Sequence, residues 1–258
     1  MSSPQCGAVK ELKNFMPNMM HAFCLNHLTN LALLDSFKIS DHLSFAVEIL
    51  QKINSFFSYF LNTFFRLNKI VIFLNIQQRS AKRQKILETK LTDSPYTKLK
   101  AVSLTQWSEV FTSTNRVLDC YVETTEAFKV VEIQDDKIAA GKTLKRLNDI
   151  QNPSNLMALC ILNFITEKIQ PLVKVLQERG VYHSEGILKM RTLKKILEKS
   201  KYDFPDVLKK YNEIATRMDL LLLNNGQYIA RGLTPEQIWQ DYVFKPSLES
   251  LAKSLETR

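Results

Sequence analysis

From Asp41 to the end of the chain, apolar residues recur at three- and four-residue intervals almost without pause. That period collects them on one side of an α-helix; a strand, whose side chains alternate every second residue, cannot bury them together. Residues 42–61 show the pattern well, with Phe45, Ile49, Ile53, Phe56, Phe57 and Phe60 in one broad stripe. Only 6 Gly and 8 Pro interrupt 258 residues, too few for the turns of a β-sandwich. With 45% apolar residues and fifteen Phe, the chain can fill a core and offset the entropy of ordering itself.

The same reading places helices at about 27–37, 42–61 and 64–90, before Thr92-Asp93-Ser94-Pro95 breaks the chain. Ser103 and Gln106 stand at capping-box spacing and predict a helix to about Val131, with Trp107, Val110, Thr114, Leu118, Tyr121, Thr125 and Phe128 on its inner face. A helix at about 137–150 follows. The next, at about 155–178, is apolar around most of its circumference and belongs at the centre of the fold, with a kink at Pro171 and a stop at Gly180. Further helices are predicted at about 185–200 and at 205–223, the second closing near Gly226. Thr234-Pro235-Glu236-Gln237 joins an N-cap, a first-turn proline and a capping-box Gln, the clearest helix start in the chain. Ahead of all these, Met19–Phe23 reads as a short strand. Repeats and low-complexity tracts do not occur.

Charge is unevenly spread. Residues 66–100 hold nine Lys and Arg against two acids, which is +7 of the chain's +9. Such a concentration predicts either a solvated helix face or a track for phosphates, led by Arg79, Lys82, Arg83 and Lys85. Lys82-Arg83-Gln84-Lys85 also has the composition of a short nuclear-import signal. A second concentration holds Lys189, Arg191, Lys194, Lys195, Lys199 and Lys201, with Arg191, Lys194 and Lys195 sharing a helix face.

Other signals argue against particular chemistries. Gly141-Lys142-Thr143 has the end of a phosphate-cradling loop but Asp136 where the loop needs glycine, so no nucleotide cofactor is expected. Cys24 and His27 form a CxxH, two ligands where a structural zinc needs four, so no metal is expected either. Four scattered cysteines suit a reducing compartment, and Ile53–Phe65 is too short an uncharged run to span a bilayer. The N-terminus lacks a signal-peptide pattern. Neither a membrane nor a small-molecule substrate is expected as partner.

Four segments, in order, resemble the hAT-type transposases, particularly the domesticated set with zinc finger MYM-type proteins and the repressor of the inhibitor of the protein kinase. HAFCLNHLTNLALLDS (21–36) is similar to that family's C-x-x-H-x-L-N-L block. INSFFSYFLNTFFRLNKI (53–70) is similar to its FF…R…L stretch. SLTQWSEVFTSTNRVLDCY (103–121) resembles its Thr-Arg-Trp block, and LTPEQIWQDYVFKPSLESLAKSLETR (233–258) its P-E…P-x-L segment. The resemblance implies an RNase H-like α/β core interrupted by a large helical insertion. It further implies that Cys24 and His27 lie beside a former active site and that Trp107 stacks near flipped DNA. Gln106 departs from the family's arginine before that tryptophan, removing a phosphate-seeking charge.

The expected fold is therefore mainly α: a small remnant of an RNase H-like core (1–40, one strand plus a helix) and an all-helical insertion-like domain (41–258), with a sub-boundary near 92–102. The family's catalytic acids, two Asp before the CxxH block and a Glu after the insertion, are expected to be absent, and with them transposase activity. The function expected is that of a domesticated or truncated transposase-derived protein in the nucleus, associating with DNA or chromatin through Arg79, Lys82, Arg83, Lys85 and Trp107. Alternatives are a helical protein–protein adaptor or transcriptional co-regulator, cytoplasmic if not nuclear, and an incomplete gene model of a larger transposase.

Overall fold

A computed structural model describes residues 25–57, 81–100, 107–134, 137–177, 182–220 and 232–256. Among them every regular element is helical, so the protein is mainly α. The expected strand at 19–23 lies outside the described residues. The helices are α1 (Leu25–Phe37), α2 (Asp41–Phe57), α3 (81–90), α4 (Trp107–Asp119), α5 (Tyr121–Gln134), α6 (Lys137–Gln151), α7 (Pro153–Gln177), α8 (His183–Lys199) and α9 (Phe204–Met218). A final helix, α10, starts at Pro235–Ile238, widens to a π-helical stretch at Trp239–Phe244 and continues as Lys245–Glu256.

The apolar circumference of α7 determines the architecture. Every residue from Asn155 to Thr166 is buried, and α7 touches α1, α2, α4, α6, α8 and α9. It is 25 residues long and apolar enough to reach across a bilayer, but 78% of its most apolar window is covered by these neighbours. It passes through Pro171 without interruption, the ring on the exposed side where the lost N–H costs least. Around it, α1, α8 and α10 pack on one another, while α5 lies along α6 and reaches α9.

Two aromatic clusters join distant elements. Phe56 stacks on Phe128 (centroids 4.6 Å apart, 19° between planes), and Phe57 meets both edge-on, which ties α2 to α5. Phe244, in the π stretch, packs against Phe164 and Phe204, tying α10 to α7 and α9. Of the stripe expected on α2, Ile49, Ile53, Phe56 and Phe57 are buried; Phe45 is half-buried beneath the Lys52 ammonium, and Phe60 lies outside the described residues.

Two expectations need correction. The helix predicted from 103 to about 131 is two helices, meeting at Cys120. Its N–H still donates to Arg116 O (3.0 Å) and its carbonyl accepts from Thr124 (2.8 Å). The buried stripe runs on through Val117, Leu118, Tyr121, Thr124 and Thr125, so periodicity cannot register the break. What changes at Cys120 is the neighbour, from α7 on the α4 side to α6 on the α5 side. Thr114 and Thr125 hydroxyls also donate to carbonyls one turn back, a bond that bends helices.

The second correction concerns α9, which ends at Met218 and not near Gly226. Asp219 takes a left-handed conformation (φ 54°, ψ 43°), and Leu220 N–H donates to Ala215 O at 2.8 Å, the six-to-one bond of a Schellman cap. The capping box at Thr234 forms as expected. Thr234 Oγ1 accepts from Gln237 N–H (3.2 Å) and Gln237 Oε1 from Thr234 N–H (2.8 Å). The π stretch that follows lies just ahead of Pro246, whose ring would clash with the Tyr242 carbonyl in a regular helix; widening the turn relieves that clash.

Candidate nucleic-acid interface

The basic run continues onto a formed helix. On α3, Lys82 and Lys85 are exposed, three residues apart and therefore on neighbouring parts of the helix surface. Arg83 points elsewhere. Its guanidinium carbon lies 4.2 Å from the centre of the Phe56 ring, and the residue is half-buried. Arg79 lies outside the described residues. Of four arginines and lysines expected to act alike, the structure separates two exposed lysines from one arginine held against the core.

Sequence reasoning misses Arg146 altogether. It comes from α6, more than sixty residues along the chain, and its guanidinium carbon is 4.9 Å from the same Phe56 ring. Burial first, and then the Arg83 charge, lower its pKa. The available signal is Lys142-Thr143-Leu144-Lys145-Arg146, a basic run whose first residues stand out only for resembling a nucleotide loop. Gly141, Lys142 and Thr143 are interior residues of α6, with Thr143 buried and Lys142 exposed.

Trp107 opens α4, as its place in the sequence suggests, while its side chain falls outside the described features. His27 sits in the first turn of α1 and is exposed; Cys24 lies outside the described residues. The segment after α3 runs against α4. Tyr96 OH donates to Asp119 Oδ2 (3.1 Å) with the Arg116 guanidinium 5.0 Å from the Tyr96 ring, and Ser113 Oγ donates to Lys100 O (2.8 Å).

The second basic concentration divides in a similar way on α8. Lys194 is drawn sideways to Glu256 (2.8 Å), and Lys201, just after the helix, to Glu249 (2.9 Å), both acids on α10. The Lys194 pKa is raised, chiefly by its hydrogen bond to Glu256. Arg191, Lys195 and Lys199 remain exposed at four-residue intervals along one face. Arg191, Lys194 and Lys195 do share one side of α8, but Lys194 is half-buried in its ion pair while Arg191 and Lys195 are exposed.

A polar cluster lies half-buried where α4, α7 and α9 meet. Lys210 Nζ donates to Asn115 Oδ1 (3.2 Å) and Asn163 Oδ1 (3.0 Å). Cys160 lies close by, fully buried, and its thiol is pushed up to about 12 by desolvation, which Lys210 only partly offsets. A thiol so placed stays protonated at neutral pH and is a poor nucleophile. Among the described residues, no group of three His, Cys, Asp or Glu side chains gathers as metal ligands would. Comparison of the chain with protein-family models, with curated proteins and with solved structures finds no match.

Proposed function

We propose that this protein derives from a hAT-type transposase, carries the family's helical insertion with a remnant of its RNase H-like core at the front, and catalyses no strand transfer. In this reading it acts in the nucleus by associating with nucleic acid through the basic stretch that includes α3. The ordered set of four family-like segments supports the ancestry. The observation that carries the binding role is the exposure of Lys82 and Lys85 on a formed helix, inside a segment with seven of the chain's nine net charges. Cations presented this way neutralise backbone phosphates and release counterions, whatever the base sequence.

The test is duplex binding across a salt series. Affinity should fall steeply with salt, by a slope of roughly 0.9 per phosphate neutralised. Replacing Arg79, Lys82, Arg83 and Lys85 by Gln should flatten that slope in proportion to the phosphates no longer neutralised. Binding indifferent to both salt and these substitutions excludes the role. DNA cleavage or joining with Mg²⁺ or Mn²⁺ would exclude the claim of no catalysis.

A protein-binding adaptor is the second reading, supported by a specific observation: α8 alone exposes Ile187, Leu188 and Ile196, at 36%, 61% and 42%. Retention of a protein partner by a variant that has lost duplex binding would favour it.

A further inference from the structure

α8 keeps its apolar side inward. Met190, Leu193 and Leu197 are buried at three- and four-residue spacing, and the helix packs on α1, α7 and α10. The opposite side carries Arg191, Lys195 and Lys199, four residues apart, so that one cation follows the next by about 6 Å along the axis. All three are exposed, and none pairs with an acid of the described residues. The nearby acids are engaged elsewhere: Glu256 and Glu249 of α10 hold Lys194 and Lys201, and Glu198 lies 3.9 Å from Lys194. Glu185 stands back in the first turn. Each end of the row of cations has a tyrosine. Tyr182 precedes the helix and Tyr202 follows it, three residues after Lys199, and both are 78% exposed. Rings left in water beside unpaired cations have the composition of a single-strand platform, where cations follow the backbone and rings stack on bases. A membrane surface suits α8 less well. Binding there needs an apolar side to sink between headgroups, and that side of α8 is taken by the core. Of its exposed apolar residues, Ile187 and Ile196 are nine positions apart, half a turn out of phase, and share no stripe.

We propose that the outward side of α8 binds single-stranded nucleic acid, with Arg191, Lys195 and Lys199 on backbone phosphates and Tyr202 stacked on a base just beyond them. The strand runs along the helix because the cations do. It is single because a base must be unpaired to offer a face to the tyrosine ring; in a duplex both faces are covered by neighbouring bases. The site is separate from α3 and does not rest on the proposed function, since duplex binding through Lys82 and Lys85 needs neither an unpaired base nor α8.

The experiment is fluorescence anisotropy of a labelled mixed-sequence oligonucleotide of about 16 nucleotides, titrated with the full chain over a salt series. The triple variant R191Q/K195Q/K199Q should bind on the order of tenfold more weakly and lose about 2 from the slope of log affinity against log salt, roughly 0.7 for each phosphate released. Y202A should weaken binding by roughly fivefold to a hundredfold without changing that slope, and Y202F, which keeps the ring, should bind as wild type does. All four side chains are exposed, so every variant should unfold at the wild-type temperature. Single-strand binding that the triple variant and Y202A leave unchanged overturns the proposal, as does no single-strand binding at all. Duplex bound as tightly as single strand, with Y202A neutral, assigns α8 to backbone contact alone and overturns it too. So does binding to phosphatidylserine vesicles, lost in the triple variant, by a chain that ignores single strands. K82Q/K85Q separates the two proposals: the loss caused by Y202A should be the same size in that background. Single-strand binding through α8 by a chain that binds no duplex would count against the proposed function alone.

Discussion

Asp219 closes α9 with a backbone geometry that an L-amino acid adopts at a cost, and with a carboxylate at the negative end of the helix dipole. Both features act against it. Asp219→Gly should therefore stabilise the protein by about 0.5–1 kcal/mol in chemical denaturation, after allowance for the greater freedom of Gly in the unfolded chain. Asp219→Ala, which keeps the left-handed strain, should not; a stabilisation by Ala equal to that by Gly would show the dipole, and not the backbone, to dominate. Cys160 supports a second prediction at this scale. The folded protein holds the thiol proton up to about pH 12, whereas the unfolded chain releases it near the ordinary thiol value of 9.0. Stability should therefore be fully present below about pH 9 and decline as pH rises toward 12, because the folded state binds the extra proton across that window. Cys160→Ala should make the decline shallower by about one proton. An unchanged slope in that variant would show that other groups carry the whole effect.

At the scale of elements, α8 lies unusually close to two others at Gly186. A methyl group added there would overlap the Leu25 side chain of α1 and come within 3.1 Å of Leu176 Cδ2 on α7. Gly186→Ala gains about 1 kcal/mol of helix propensity, which should offset most of the adjustment asked of two leucine tips. Gly186→Leu has no such compensation and should cost roughly 1–3 kcal/mol through overpacking. Urea unfolding of the pair measures the contrast; equal stabilities would mean that α8 simply moves away. Most helices are legible in the sequence because their signals are local. The stripe of α2, the apolar circumference of α7 and the Thr234–Gln237 box need no knowledge of the rest of the fold. The division at Cys120 is not legible, since the buried positions keep their spacing across it. Nor is the early end of α9, because left-handed caps usually announce themselves with glycine and this one uses aspartate.

For the molecule as a whole, α7 is the shared wall of the helices around it, so damage at its centre should spread. Leu162 is fully buried there. Leu162→Ala should lower stability by about 2–5 kcal/mol and move one cooperative thermal transition as a unit. A transition that splits in two, with one part unmoved, would show that the α1–α8–α10 group folds independently of α7. The candidate interface is also a whole-molecule property, and it is only half legible in one dimension. Charge counting locates the excess on 66–100 and includes Arg83, but it leaves Arg79, Lys82, Arg83 and Lys85 interchangeable. By itself the sequence determined a mainly helical chain, a central α7 and a local excess of positive charge, because periodicity, apolarity and charge are counted along the chain. Only the tertiary structure decided which cations stay exposed and which are held. Arg83 and Arg146 meet because α2, packed between their helices, presents the Phe56 ring to both, and Lys194 turns aside because α10 brings Glu256 to it. Such pairings depend on distance in space, which residues sixty positions apart do not reveal until the helices pack.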